Sequence, residues 1–423
     1  MLDIKFIREN PDLIKQAARK KRLEFDVDGF LKIDGDRHRS MAEVEELRAK
    51  QNRATDIVAM IENEAEKESA IKDLRELKDV LGKKEYEFKK FDTEWRRLMY
   101  DVPNIPDPSV PEGADERDAR EERKWGTPRE FGFKPLDHIT LMENLDLLEL
   151  ERGAKVSGFR GYFLKNEAVI LSQAIWLFVL NKIAGKGYAP VLAPAMVKEE
   201  NLYGSGHFPQ SREDVYKTQD DIFLSATAEI PMMGMHSDEI FAEEDLPKKY
   251  VAFSPCFRRE AGSYGKDTKG IYRLHEFYKV EQLILSAADH QDSVKLHEEL
   301  TANAEEVTQA LNLPYRVTTL AGGDIGRAHV KTYDIEVWIP SEHRYRESHS
   351  SSYYHDFQTR RLGIRYKNGE GQTKFCYSLN NTAIATPRIL ISILENNQNE
   401  DGSVEIPEVL KKFTGFDSIS PKK

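Results

Sequence analysis

Between residues 44 and 98 the chain carries two runs of apolar or small residues spaced alternately three and four apart. The first is Val44, Leu47, Gln51, Ala54, Val58, Ile61 and Ala65. After "EKES" the second runs Leu74, Leu77, Leu81, Lys84, Phe88, Phe91, Trp95 and Leu98, with one lysine interrupting it. Such a repeat lines its members up as one seam along a helix, and a seam is buried only against a second seam. Two such helices joined by a short turn predict an antiparallel coiled-coil hairpin over about residues 36–100, each helix about 45 Å long at roughly 1.5 Å per residue. A hairpin of this kind has little core of its own, in keeping with a mean hydropathy of -0.61. The returning helix, Glu68 to Tyr100, holds nine Lys or Arg against eight Asp or Glu. That balance by itself describes a solvated face laced with i,i+4 pairs, yet so long an arm on an otherwise compact protein usually reaches a partner.

The hairpin stops at "DVPNIPDPSVPEGADERDAREERKWGTP", where Pro103, Pro106, Pro108 and Pro111 forbid a helix. The expected division is an N-terminal domain over 1–105, a linker over 106–130 and a second domain over 131–423. In the second domain an apolar helix over Asn166 to Ile183 is followed by strand-like runs at 251–257, 271–285, 333–339 and 375–379. Several of these runs succeed one another through polar loops without a helix between them, which predicts an antiparallel sheet in an α+β fold. The opening "MLDIKFIRENPDLIKQAARKKR" lacks an apolar signal region, and no later stretch reads as a membrane span, so a cytoplasmic location is expected. Two cysteines, Cys256 and Cys376, form neither a disulfide framework nor a metal-ligand pattern and are expected to be reduced. The net charge of -11 opposes general nucleic-acid binding, so any such contact must come from a particular segment.

Three stretches carry chemistry. In "FRREAGSYGKDTKGIYRLHEFYKVE", residues 257–281, alternation places Arg273, His275, Phe277, Lys279 and Glu281 on one face and Tyr272, Leu274, Tyr278 and Val280 on the other. Arg258 and Glu260 share a face by the same rule. If the apolar face packs on helices, the charged one is a ligand floor, with Phe277 suited to a planar group and the glycine-rich loop to phosphates. An exposed sheet face with cross-strand ion pairs is the competing reading. In "KFCYSLNNTAIATPRILISILENNQ" a strand is expected to end at Leu379, and a helix then begins near Arg388 whose apolar residues cover most of its circumference. A buried Arg388 requires an anion, a planar base or a neighbouring carboxylate. The third stretch, "YRESHSSS" at 345–352, sets Glu347 among Ser348, His349 and Ser350, oxygen donors of the kind that hold Mg²⁺.

Together these residues resemble the class II aminoacyl-tRNA synthetases, and specifically the seryl-tRNA synthetase family. "FRRE" with "RLHEFYKVE" is similar to the second class motif, "NNTAIATPRIL" to a seryl form of the third, and "GKGYAPVLAPAMV" with Pro194 to the first. The Thr-Ala-Glu run of seryl enzymes is present as Thr227, Ala228 and Glu229. The resemblance spans the whole chain, including the hairpin and the "GSGHFP" loop at 204–209.

The resemblance implies ATP-dependent activation of L-serine and transfer to the 3′ end of tRNA(Ser), and raises the same question for tRNA(Sec). It implies a homodimer joined around Pro194, and the arm as the tRNA grip. Arg258 is expected to join the serine carboxylate to the α-phosphate, with Arg259 beside it. Glu260 is expected at the adenine amino group with Leu274 offering backbone contacts, Arg273 at the outer phosphates, and Phe277 and Arg388 about the base or triphosphate. Glu347 and Ser350 are expected to ligate Mg²⁺, with Ser348 and His349 in the same ATP segment. Thr227, Ala228, Glu229, Glu281 and Thr382 are expected around serine. A pocket of that polarity discriminates against alanine by up to about 10⁴-fold, because its groups are left unpaired. The competing class is a synthetase-like paralogue with a binding or regulatory role, or one that loads a carrier protein; it would be expected to lose motif arginines, the metal carboxylate or the arm.

Overall fold

The computed structural model describes residues 1–261, 267 and 269–422. It divides into two compact units, one of residues 3–19 and 23–103, the other of 1–2, 20–22 and 104–423.

The first unit contains the hairpin. Its helices are α1 (Val27–Met60) and α2 (Glu64–Asp101). Asp26 caps α1 by accepting from the Gly29 amide at 2.9 Å, and Asn63 caps α2 through the amides of Ala65 and Glu66. These caps satisfy amide groups that a helix start leaves unpaired. Val44 and Leu81 are buried on the facing seams. Lys84, the polar interruption, turns its ammonium out to Glu43 of α1 at 2.8 Å while its stem covers the seam. Arg37 with Asp92 and Arg48 with Glu85, each at 2.7 Å, tie the helices further along. Near the base, Asp34 accepts from Arg8 Nε at 2.6 Å and from Trp95 Nε1 at 2.9 Å. The expected turn is displaced. It lies at residues 61–63, and "EKES" is already helical, because Asn63 supplies the cap and Ala65 is exposed rather than part of the first seam.

In the second unit the strands are β1 (Arg120–Trp125), β2 (Ala189–Leu192), β3 (Lys248–Phe257), β4 (Glu276–Ser286), β5 (Tyr315–Thr319), β6 (Lys331–Ile339), β7 (Arg344–His355) and β8 (Tyr377–Thr386). Among the described residues they form one eight-stranded sheet in the order β1-β5-β6-β7-β8-β4-β3-β2. Every neighbouring pair is antiparallel except β2 with β3. Helices α3 (Glu167–Ala184), α4 (His290–Ala310) and α5 (Arg388–Asn396) contribute Ile175, Val179, Leu300, Val307, Ile389 and Leu394 to a core shared with Val280, Ile284 and Ile384 of the sheet. The α+β class and the antiparallel sheet are as the patterning predicts.

Three expectations need correction. Residues 106–130 are not a free linker, since β1 pairs with β5 as an edge strand and the Asp107 amide donates to the Val330 carbonyl at 2.9 Å. Prolines forbid a helix there but not an edge strand. The strand expected to end at Leu379 instead runs through the polar "NNTAIAT" to Thr386, because the side chains of Asn380 and Asn381 find partners inside the fold. The helix α3 is long and apolar enough to cross a membrane by length and composition, contrary to the sequence expectation. Leu171, Ile175, Val179 and Ile183 are fully buried in the core, while Val169, Ile170 and Leu177 leave a second apolar face exposed. Both cysteines are free and buried, as expected.

Candidate active site

A pocket lies between the end of β3, the start of β4, the middle of β7 and the N-terminus of α5. Arg258, Glu260, Arg273, Phe277, Glu347 and Arg388 line it, together with Leu274, Ser348 and Thr382. Residues from all three stretches therefore meet in one cavity, while Arg259, Glu281, His349 and Ser350 lie outside its lining. Alternation fails at its rim: β4 begins only at Glu276, so residues 271–275 are irregular. Tyr272 and Arg273 both line the same pocket rather than facing opposite sides.

Three arginines, Arg258, Arg273 and Arg388, and Lys279 outnumber Glu260 and Glu347 in the lining of the pocket. Arg258 lies 5.1 Å from the Phe277 ring centre. Tyr272 is packed between two guanidinium groups, Arg346 at 3.7 Å and Arg388 at 4.3 Å from its ring centre. Arg388 Nε donates to the Tyr272 carbonyl at 3.2 Å, and its NH1 stands 3.2 Å from the Glu347 carboxylate. Arg388 thus has a carboxylate partner and an aromatic face as well as an opening toward the cavity. Arg273 donates to Glu260 at 2.5 Å, and Arg346 is held by Asp267 at 2.6 Å and by Glu342 at 3.0 Å. Burial works against an ionised Glu347, but Arg388, Arg258 and Arg273 hold its carboxyl below the usual range.

A second, more enclosed group of polar residues adjoins this cavity through Lys279 and Thr382. Lys279 is ion-paired with Glu281 and donates to Thr227 Oγ1 at 2.7 Å. Thr382 sits opposite Glu281 in the β8–β4 register, its hydroxyl 3.5 Å from that carboxylate. Glu229 accepts from Gln358 Nε2 at 2.5 Å, and Ala228 beside it is fully buried. Burial raises the carboxyl pKa of both Glu229 and Glu281, with Lys279 opposing the rise in each. The far part of β4 is closed on both faces, since Leu283 and Leu285 pack against Ala252 and Met232 in a separate core cluster. This is why Lys279 and Glu281 are buried, where alternation alone allowed an exposed charged face.

Oxygen donors converge on β6 and β7. Ser350 is paired in register with Asp334, and its hydroxyl works to lower the pKa of that carboxyl. Asp334 Oδ1 is buried without a hydrogen-bond partner, and its carboxyl is raised by burial and then by the charge of Glu347. An orphaned buried oxygen beside a carboxylate and a hydroxyl fits a hard divalent cation, whose remaining ligands would come from phosphate and water. His349 is buried behind the site with its pKa pushed down to about 4 by burial, and Ser348 is hydrogen-bonded to it. Arg259 is exposed and does not line the pocket; its amide donates to the Asp214 carbonyl at 2.8 Å.

Sequence reasoning missed Tyr272, Arg346, Asp334 and Gln358 as parts of the site. Arg346 is adjacent to Glu347 in the chain and was detectable; Asp334 and Gln358 come from a strand and a helix whose proximity only the sheet order reveals.

Comparison with known proteins follows the same division. Residues 214–397 match the family model for the class II core domain of tRNA synthetases (G, H, P, S and T), and residues 1–106 match the seryl-tRNA synthetase N-terminal domain. The chain is 42% identical to the serine–tRNA ligase of Deinococcus radiodurans over 98% of both chains. It is 40% identical to that of Thermodesulfovibrio yellowstonii over 99% of this chain and 100% of the relative. Among solved structures it is similar to seryl-tRNA synthetase from Pyrococcus horikoshii complexed with ATP, with a TM-score of 0.90, 40% identity and full coverage of both chains. The cytoplasmic serine–tRNA ligase of Naegleria fowleri in complex with AMP gives a TM-score of 0.85 at 31% identity, covering 100% of this chain and 99% of that one.

Proposed function

Because the chain belongs to the seryl-tRNA synthetase family and is a serine–tRNA ligase, we propose that the arginine-lined pocket binds ATP and the enclosed group around Glu281 binds serine. The single observation that supports this best is the junction of the two through Arg258, Lys279 and Thr382, which sets a cationic phosphate site against a small polar one. Activation is in-line attack of the serine carboxylate on the α-phosphate, which breaks the α–β phosphoanhydride bond and releases pyrophosphate, and two anions must approach each other. Arg258 neutralises both, Arg273 and Arg388 take charge from the outer phosphates and the base is held against Phe277. Glu260 accepts from the adenine amino group. Glu281 and Thr382 meet the amino and hydroxyl groups of serine, with Thr227 and Glu229 closing the pocket. Glu347 and Ser350 would hold Mg²⁺, which supplies further neutralisation of phosphate charge.

A ribose hydroxyl of the terminal adenosine of tRNA(Ser), gripped through the hairpin arm, then attacks the seryl carbonyl of the adenylate, forming the ester and releasing AMP. The exposed apolar face of α3, with Leu192 and Met196 nearby in sequence, is where a second copy packs to make a homodimer. The enzyme works in the cytoplasm. Serine-dependent exchange of ATP with pyrophosphate tests the proposal, and exchange with alanine or threonine at the rate seen with serine would overturn it. A charging assay with tRNA(Ser) and tRNA(Sec) in parallel determines the acceptor range, and exchange without any charging would identify the carrier-loading or regulatory alternative.

A further inference from the structure

Lys279 is left without a task by these roles, although its side chain is only 7% exposed at the junction of the two subsites. Its ammonium is ion-paired with Glu281 and donates to Thr227 Oγ1 at 2.7 Å. Acceptors suited to a substrate α-ammonium are therefore already engaged by an ammonium of the chain itself. Isolated, a buried lysine would be costly; here it balances two buried carboxylates.

The groups facing this ion pair come from several elements. Glu229 stands on the helix Glu229–Gly234, Arg258 follows β3, and the His207 imidazole and Cys256 thiol lie within the field of Lys279. Tyr354 of β7 faces both carboxylates. Lys279 is the leading favourable influence on Glu281, ahead of Arg258.

We propose that Lys279 is a positioning residue that stands in for the substrate ammonium, holding the Glu281 carboxylate until serine binds and then yielding it. This rests on assigning the Thr227–Glu281 group to serine. Removing Lys279 then has two opposed effects: a competitor for Glu281 disappears, and so does the cation that keeps Glu281 charged. The first favours serine at high pH, and the second disfavours it at low pH.

Exchange kinetics of the parent and of Lys279→Met from pH 6 to pH 9 test this. The serine KM of the variant is expected about 10-fold above the parent at pH 6, where burial raises the Glu281 carboxyl without its neighbouring cation to oppose it, and no higher than the parent at pH 9. The ATP KM should stay within about 2-fold, and Lys279→Arg should restore the parent pH profile. A serine KM ratio constant across this range, which lost structure alone would give, overturns the proposal. Should Lys279→Met fail to fold, the parent enzyme still decides. 3-Hydroxypropanoate, serine without its ammonium, leaves the Lys279–Glu281 pair intact and is expected to compete with serine, whereas no competition at about 100 times the serine KM overturns the proposal. Glu281→Ala separates the two readings. An unchanged serine KM in that variant removes the pocket assignment; a raised one beside a constant Lys279→Met ratio keeps the assignment and removes the role of Lys279.

Discussion

Arg388 reaches 3.2 Å from Glu347 across the arginine-lined pocket, joining the first residue of α5 to the middle of β7. The pair connects the third motif to the proposed metal carboxylate, and each partner limits the charge the other presents to a nucleotide. With Arg388 gone, Tyr272 loses one of its two guanidinium neighbours and Glu347 loses the first of the cations that hold its proton off.

Arg388→Ala should therefore lower kcat/KM for ATP by about 100-fold, equivalent to roughly 2.7 kcal/mol and typical of removing one group that stabilises developing charge. The serine KM at saturating ATP should move much less. Exchange kinetics with each substrate varied in turn measure both, and an equal loss for both substrates would contradict the division of the site.

Burial has a second consequence, in the histidines. His297 lies stacked on Tyr333 with ring centres 4.6 Å apart, and its Nε2 is 2.9 Å from the Ser351 carbonyl. Burial pushes its pKa down from 6.5 to about 3. Between those values the unfolded chain binds the proton and the folded one does not, so this stabilisation is complete above about pH 6.5 and is lost as pH falls toward 3. From pH 7 to pH 5 the loss is about 2 kcal/mol for this residue, and His329, pushed down to about 3, acts in the same direction. Thermal melting should show a clear fall in Tm over that interval, and a shallower one in His297→Gln. The same fall in both proteins would show that His297 is not a source of the acid sensitivity.

The second copy proposed on α3 is tested by charge. Leu177 is 52% exposed and Leu192 77% exposed, neither having a packing role inside the unit that would account for its apolar side chain. Light scattering at micromolar concentration should give about twice the chain mass, two-fold dimers being the commonest oligomer. Leu177→Glu with Leu192→Glu should give a monomer with an unchanged circular dichroism spectrum. A parent protein that is already monomeric would remove this part of the proposal.

The parts of the molecule legible in sequence were those governed by one local period. The seam from Val44 to Leu98, apart from Ala65, and the buried apolar residues of α5 follow from spacing alone, and both are in place. Motif residues such as Arg258, Phe277 and Arg388 were legible through resemblance, and the pocket collects them. Spacing failed where tertiary pairing decides the outcome. β1 sits in a proline-rich stretch because β5 offers it an edge, and β8 continues through polar residues because Gln282 and Tyr354 donate to the side-chain oxygens of Asn381 and Asn380. Tyr272 was placed on the wrong face because alternation was extended five residues beyond the strand. Asp334 was invisible because its partner Ser350 lies on another strand.

The arm gives the last test, and here the charge pattern matters more than its balance. Lys72, Arg75, Lys78, Lys83, Lys89 and Lys90 of α2 lie along the returning helix, and among the described residues none of the six forms an ion pair. By contrast Lys84 and Arg96 of the same helix are paired with carboxylates. Cations left without an ion pair on one helix can release counterions from a phosphate backbone without reading a base sequence. Cutting above the Asp34–Trp95 contact keeps the base of the hairpin closed. Replacing residues 42–87 with a short linker should leave serine-dependent pyrophosphate exchange within about 2-fold of the parent, since the catalytic unit has its own core. Serylation of tRNA should fall by at least about 100-fold, the loss of several phosphate contacts being worth two or more decades of affinity. Reversing the charges of Lys83, Lys89 and Lys90 in the full chain should weaken tRNA binding and flatten the slope of log affinity against log salt by about three, one for each contact removed. A deletion variant that charges tRNA at the parent rate would show that the arm is not the tRNA-binding element.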